Sequence, residues 1–323
     1  MRQAVLMLAL VSVAGAAVRG TVVNRTTGKP AAGLSVRLLS MGSAGMQELE
    51  SAVTDAQGRF AFSRTAQAVH YLVETQFGGV TYNRMVSPGD TAREIELVVY
   101  EVARRPAPRP TQRIVILEPA SDELRVSETW LFRNDGNRTL YDPQSAALRF
   151  WVPEAAAGKI SVSVTAPGGM PLSRSPESGP DGVYRVNFPI KPGETRFDVS
   201  YSLAGQRSFS GRMLFADVPV RLVVPGGVTL EGEGLEVLGP DPSGRTMIYE
   251  LKGRREFTVA ISGSGLLEGA EEGAGPSLDR ILPAVYDRLA WILAPAAAAL
   301  ALGFLLLYRA PATARRGGRT SRS

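Results

Sequence analysis

Cysteine is absent from the 323 residues, and histidine occurs once, as His70. The first absence removes disulfides, thiolate zinc sites, iron–sulfur clusters and cysteine nucleophiles together. The second removes a catalytic zinc, which takes two or three histidines with a carboxylate, and it leaves serine hydrolysis without a His base. No G-x-S-x-G elbow, phosphate loop or dinucleotide motif following a strand is found either. Long amphipathic helical periodicity is also missing. The chain instead carries short Val- and Leu-rich runs broken by turn residues, with 34 glycines and 22 prolines. That pattern reads as all-β.

The formal charge of +5 invites a nucleic-acid reading, which the location of the charges removes. Arg2 belongs to an N-terminal leader, and Arg309, Arg315, Arg316, Arg319 and Arg322 follow the last apolar run. Without these six, the 36 basic residues become 30 against 31 acidic ones. The remainder is nearly neutral, and no nucleic-acid partner is expected.

Two segments point to a membrane. Met1-Arg2-Gln3, the apolar run 4–13 and the small residues Ala14-Gly15-Ala16-Ala17 have the order of a secretory signal peptide, placed at residues 1–17. The apolar run is short for a retained anchor. Residues 289–308, LAWILAPAAAALALGFLLLY, contain no charge and would cover about 30 Å as a helix. Trp291 and Tyr308 stand near its ends, and the arginine-rich tail 309–323 marks the cytoplasmic side. The expectation is a single-pass protein of the bacterial cytoplasmic membrane, with its N-terminal ectodomain in the periplasm or outside.

Between those segments, residues 18–102 alternate short strands with turns, among them Thr54-Asp55-Ala56-Gln57-Gly58. There Asp bonds its own backbone and Gly takes a positive φ. About seven strands are expected in this stretch. Residues 103–112, ARRPAPRPTQ, read as a stiff Pro-rich linker. Residues 113–262 carry about nine or ten further strands, arranged as one larger sandwich or two short ones fused. Residues 263–288 read as a flexible acidic spacer and pre-membrane segment. The expected fold class is therefore all-β, with tandem Ig/transthyretin-like β-sandwich domains plus one C-terminal transmembrane helix.

Gly20-Thr21-Val22, the run 28–38 (GKPAAGLSVRL) and the run 54–62 (TDAQGRFAF) together resemble the repeat of carboxypeptidase regulatory-like domains. These are transthyretin-like or prealbumin-like β-sandwiches, similar also to starch-binding-like and collagen-adhesin B-type modules. The resemblance covers about a quarter of the chain. It implies that Phe60 and Phe62 fill a core, and it speaks to fold far more than to function. The remainder resembles ectodomains of single-span bacterial envelope proteins.

Candidate chemistry is sparse. His70 falls in a strand, VHYLVE, where a structural role is expected. Glu118, Asp122, Glu123 and Glu128 are the acids from which a glycosidase pair could be drawn, although acids on sheet edges are usually solvated. Asn134-Asp135-Gly136-Asn137 with Asp142 offers oxygen ligands suited to calcium, but without EF-hand spacing, and a turn explains the same residues. Sequons at Asn24 and Asn137 would be glycosylated in a eukaryotic host and incidental in a bacterium. Of the aromatics able to face a sugar, Tyr71, Phe77, Tyr82, Trp130, Phe150 and Trp151, most fit core packing, and Tyr82 in GGVTYNR is the least strand-like and is the candidate ligand contact. No cofactor or metal is expected. The functional expectation is a non-catalytic binding or assembly role with an envelope protein partner, or alternatively carbohydrate binding by the starch-binding-like N-terminal domain.

Overall fold

The computed structural model describes residues 18–267, apart from 43–44, 64–69, 91–92, 157–159, 206, 216 and 253–254. The segments expected to be a signal peptide (1–17), a membrane span (289–308) and a cytoplasmic tail (309–323), with most of the expected spacer, lie outside the described residues. Among the described residues no helix is long and apolar enough to cross a membrane. They are all-β, with only two single-turn 3-10 segments, Pro88–Asp90 and Pro180–Gly182.

The first eight strands are β1 (Val18–Asn24), β2 (Lys29–Pro30), β3 (Ser35–Gly42), β4 (Gly45–Val53), β5 (Arg59–Phe62), β6 (His70–Phe77), β7 (Val80–Val86) and β8 (Glu94–Val99). β1 pairs antiparallel with β2 and β5 and parallel with β8. A second four-stranded sheet runs in the order β4-β3-β6-β7, antiparallel throughout. Inward side chains of both sheets form one cluster, including Val22, Leu38, Phe60, Phe62, Val73 and Leu97. The alternation of each strand puts these residues on one face, the ordinary consequence of a two-residue repeat. Phe60 and Phe62 are buried as expected.

The turn at Asp55 also forms as the sequence indicates. Its Oδ1 accepts the backbone N–H of Gln57 at 2.9 Å and of Arg59 at 2.8 Å. The strands it joins belong to different sheets, however, because β4 pairs with β3 while β5 pairs with β1. At Gly20 the backbones of β1 and β8 approach so closely that a Cβ would stand 2.1 Å from the Ile95 carbonyl oxygen.

The linker is shorter than its proline content suggests. Val102–Ala103 forms β9, and Pro110 already opens β10 (Pro110–Pro119). Next come β11 (Glu123–Asn134), β12 (Thr139–Leu140), β13 (Leu148–Trp151), β14 (Ser161–Thr165), β15 (Leu172–Arg174), β16 (Glu177–Ser178) and β17 (Val183–Val186). The remaining strands are β18 (Gly193–Ala204), β19 (Ser208–Arg212), β20 (Val220–Pro225), β21 (Thr229–Glu231), β22 (Leu235–Pro240), β23 (Thr246–Leu251) and β24 (Glu256–Ser262). This is more than the nine or ten expected. The surplus includes short polar pieces such as β15 and β16, whose residues are exposed and so carry no apolar alternation to read.

One eight-stranded sheet, β15-β14-β18-β11-β10-β20-β23-β22, runs through the second region. The two small sheets β13-β17-β16 and β19-β24-β21 contribute to the same buried cluster as the large one. The alternatives of one sandwich and two fused ones thus merge: the two small sheets share one long partner and one core. Every pairing in the long sheet is antiparallel except β10 with β20, which is parallel. That seam divides the sheet into a half built on β11 and a half built on β20.

Beside the seam lies a buried ion pair. Arg113 of β10 and Glu128 of β11 are 0% and 1% exposed. Arg113 Nε donates to Glu128 Oε2 at 3.1 Å, and its Nη2 stands 2.9 Å from Oε1 without hydrogen-bond alignment. Tyr201 Oη donates to Oε1 at 2.8 Å, and Trp130 Nε1 donates to Oε2 at 3.1 Å. The guanidinium also lies 4.7 Å from the centroid of the Trp130 ring. The carboxylate therefore gathers three side chains from three adjacent strands.

The expected consequence is a large contrast between two glutamates. Glu128→Ala leaves a buried guanidinium uncompensated and should cost about 3–5 kcal/mol. Glu123→Ala removes a surface pair with Arg125 and an exposed hydrogen bond with Ser202, and should cost about 1 kcal/mol or less. Urea unfolding of the two variants measures both, and equal losses would contradict the assigned role of Glu128.

Candidate functional site

The two sandwiches meet through a junction made by backbone and side chains alike. β9 pairs parallel with β12, and Thr139 and Tyr141 donate their N–H groups to the carbonyls of Glu101 and Ala103. Asn24 Nδ2 donates to Glu101 Oε1 at 2.8 Å, and Thr26 Oγ1 donates to the Asn137 carbonyl at 2.5 Å. Both sequons are thus built into the junction, with Asn24 buried and Asn137 exposed.

Tyr82 belongs to this junction and not to an open loop. Gly78 and Gly79 form a two-residue hairpin turn with φ of 58° and 77°, so the strand resumes at Val80. Val80 and Tyr82 then fall on the inward face. The Tyr82 ring is 2% exposed, and its hydroxyl donates to the Tyr100 carbonyl at 3.0 Å while lying 2.7 Å from Thr139 Oγ1. Burial raises its pKa above the ordinary phenol value. Its polar capacity is spent within the protein.

Above the Tyr82 ring, 4.8 Å from its centroid, sits Lys191 Nζ. Lys191 opens the turn-like run Lys191-Pro192-Gly193-Glu194. It reaches across the junction to donate to the Thr81 carbonyl at 2.7 Å. Burial lowers its pKa to about 8, only partly opposed by the charge of Glu74. Glu74 is itself ion-paired with Arg37. At neutral pH Lys191 is thus a cation held at low hydration, a state that favours an approaching anion.

Lys191 and Glu74 line a groove of about 420 Å³ between the two sandwiches. One wall comes from β4, β6 and β7 with Met46, Leu72, Asn83 and Met85, and the other from the second region with Met170, Leu172, Arg174 and Phe188. Met46, Met85 and Leu172 are 53%, 38% and 39% exposed. Flexible thioethers presented to solvent are suited to binding surfaces that repack against a partner. β7 and β15 are outer strands of their sheets, so the groove is flanked by strand edges.

The other sequence candidates are dispersed. Glu118 is buried and accepts the Leu267 N–H at 2.7 Å, Glu123 pairs with Arg125, and Glu128 belongs to the ion pair of β10 and β11. The Leu267 contact, with Gly265 N–H donating to the Pro119 carbonyl, ties the first residues of the acidic spacer to the end of β10. Asn134 Oδ1 accepts the Gly136 N–H, its Nδ2 donates to the carbonyls of Arg138 and Ile190, and Asp135 pairs with Arg133. Those side chains make a turn. Among the described residues no three His, Asp or Glu side chains form a metal-sized cluster. His70 opens β6, in register with Met41. Tyr71, Trp130 and Phe150 are buried, Phe77 packs against the first core, and Trp151 lies under Arg212.

Arg113 was missed from sequence, although a signal existed. It shares a strand phase with Val115 and Leu117, and Glu128 shares one with Val126 and Trp130. Opposite charges at core-facing positions of consecutive strands mark a buried pair.

No protein-family model matches the chain, and no curated protein matches it. Among solved structures it is similar to an M1 zinc metallopeptidase from Deinococcus radiodurans, at 12% identity and a TM-score of 0.25, over 52% of this chain and 50% of that one. A mutant of that enzyme bound to a Tyr-Ser-Ala substrate gives a TM-score of 0.27 at 12% identity, over 52% of this chain and 51% of that one. The chain thus spans about half the length of the structures it matches. Overlaps of this quality carry no argument about fold or activity.

A depressed lysine pKa has a definite sign in stability. Below about 8 the folded state carries the full cost of a buried cation, and that cost is relieved as the pH rises toward the unfolded value of 10.5. Between pH 7 and 10 the wild type should therefore gain roughly 2 kcal/mol relative to Lys191→Met. Denaturant melts across that range check it, and parallel pH profiles would contradict the assignment.

Proposed function

We propose that this chain is a single-pass protein of the bacterial cell envelope, whose extracytoplasmic β domains bind a partner protein in a non-catalytic assembly role. The observation that carries the reading is the groove between the sandwiches. It combines exposed, adaptable methionines with an under-hydrated lysine and two flanking strand edges. An extended segment of a partner chain suits such a surface, because strand edges supply main-chain hydrogen bonds and the side walls select side chains.

In this reading residues 1–17 are removed on export and residues 289–308 hold the protein in the cytoplasmic membrane. The first sandwich is of the carboxypeptidase regulatory-like, transthyretin-like type. Its two four-stranded sheets around one core support that assignment. Residue 267 leaves the second region at the β10–β11 turn, whereas the junction lies at the other end of β11. β11 has 12 residues and spans roughly 37 Å at about 3.4 Å per residue.

Protein is favoured over glycan as the ligand. The first sandwich shows no exposed aromatic ring among its described residues, so the stacking platform that a starch-binding-like mode needs is not seen there.

The test is site-specific photo-crosslinking of the full chain in its native membrane. A photoreactive residue replacing Met85 or Leu172 should trap a defined partner protein. The same residue replacing Val237, which is more exposed than either and lies on the outer strand β22, should not. Crosslinks that are absent at positions 85 and 172, or identical at 237, would overturn the groove as the binding site.

A further inference from the structure

Beside the groove lies a second cleft, of about 520 Å³, whose charge is one-sided. Arg104 and Arg109 of the connection between β9 and β10 line it, together with Arg149 of β13 and Arg185 of β17. Asp142 is the sole acid among its lining residues, and its Oδ1 accepts the Gln144 N–H at 3.1 Å.

Arg149 and Arg185 are direct cross-strand partners. Like charges in that position repel and destabilise a sheet. Neither has an ion-pair partner among the described residues, and nor does Arg104; the Arg149 guanidinium instead rests 5.9 Å from the Phe215 ring. Glu177, the other cross-strand neighbour of Arg185, makes no ion pair with it and does not line the cleft. Outside the leader and tail the chain is nearly neutral, so four arginines here represent local segregation of charge.

We propose that this cleft binds the carboxylates of an acidic polypeptide segment. Guanidinium groups present paired N–H donors that match a carboxylate bidentately. Continuity with the groove selects polypeptide over a free anion: Tyr141, Asn187 and Phe188 line both cavities, and Arg174 lies 5.5 Å over Phe188 between them. One extended chain passing from groove to cleft meets methionines and Lys191 first, then arginines. The identity of that chain rests on the proposed function; the anion preference rests on the arginines themselves.

The experiment uses the full chain in detergent, with rhodamine-labelled hexaglutamate as the probe and fluorescence anisotropy as the readout. Binding should be saturable and should weaken when salt is raised from about 50 to 300 mM, as expected for partly exposed charges. Arg149→Gln/Arg185→Gln should weaken it at least about tenfold, through loss of two paired-donor sites. That variant should melt no lower than the wild type, since it removes a like-charge pair. Val237→Asp, on β22 and lining neither cavity, should leave hexaglutamate affinity within about twofold, and because the probe is hexaglutamate itself the result stands apart from the partner assigned to the groove. Hexaglutamate affinity that is unchanged in the double arginine variant would overturn the proposal. So would tighter competition by inorganic pyrophosphate than by hexaglutamate, which would assign the cleft to phosphate.

Discussion

The Arg113–Glu128 pair stands where the long sheet changes from antiparallel to parallel pairing, and much of the second region is organised around it. Glu128 holds Tyr201 of β18 and Trp130 of its own strand, while Arg113 Nη1 lies 3.4 Å from the Arg212 carbonyl at the end of β19. The pair thus ties three adjacent strands of the sheet, β10, β11 and β18, to one of the small sheets. Two charges removed from water cost several kcal/mol each, and they are tolerated only when geometry and hydrogen bonds compensate. Here the carboxylate oxygens receive donors from three side chains. Such a network tolerates few alternative registers, because sliding a strand by one residue would turn one of the charges to the opposite face.

The junction between the sandwiches follows from what that region offers at its far end. Thr139 and Leu140 supply an edge for β9, and Lys191 reaches back over Tyr82 to the Thr81 carbonyl. A junction made only of side-chain contacts would leave the domains free to reorient. One that includes paired backbone, a buried tyrosine hydroxyl and a desolvated ammonium holds its two walls in register. The groove and the arginine cleft are the spaces left on either side of Phe188 and Asn187, so both depend on this joint.

Much of the fold was legible along the chain because it is written in local alternation. The core positions of the first sandwich, Phe60 and Phe62 among them, the Asp55 turn and the long strands β10, β11 and β18 all carry the two-residue period. Tyr82 was read as a loop residue because Gly78-Gly79 signals a turn, yet a two-residue turn ends at once and the strand resumes. The short exposed strands β15 and β16 carry no period at all. The spacer was taken as free from residue 263, whereas Gly265 and Leu267 are tied to Pro119 and Glu118, partners about 150 residues away that no local pattern reveals.

The amino-acid sequence by itself determined the all-β character of the described chain, the missing histidine and cysteine chemistry, and the near-neutral balance of residues 18–308. These follow from composition and short-range periodicity, which need no knowledge of neighbours in space. Only the tertiary structure decided that Arg113 meets Glu128, that Lys191 loses its water over Tyr82, and that Arg104, Arg109, Arg149 and Arg185 converge on one cleft. Most of those groups lie tens of residues apart, and a charge becomes a site only when folding removes its solvent or brings others of its kind beside it.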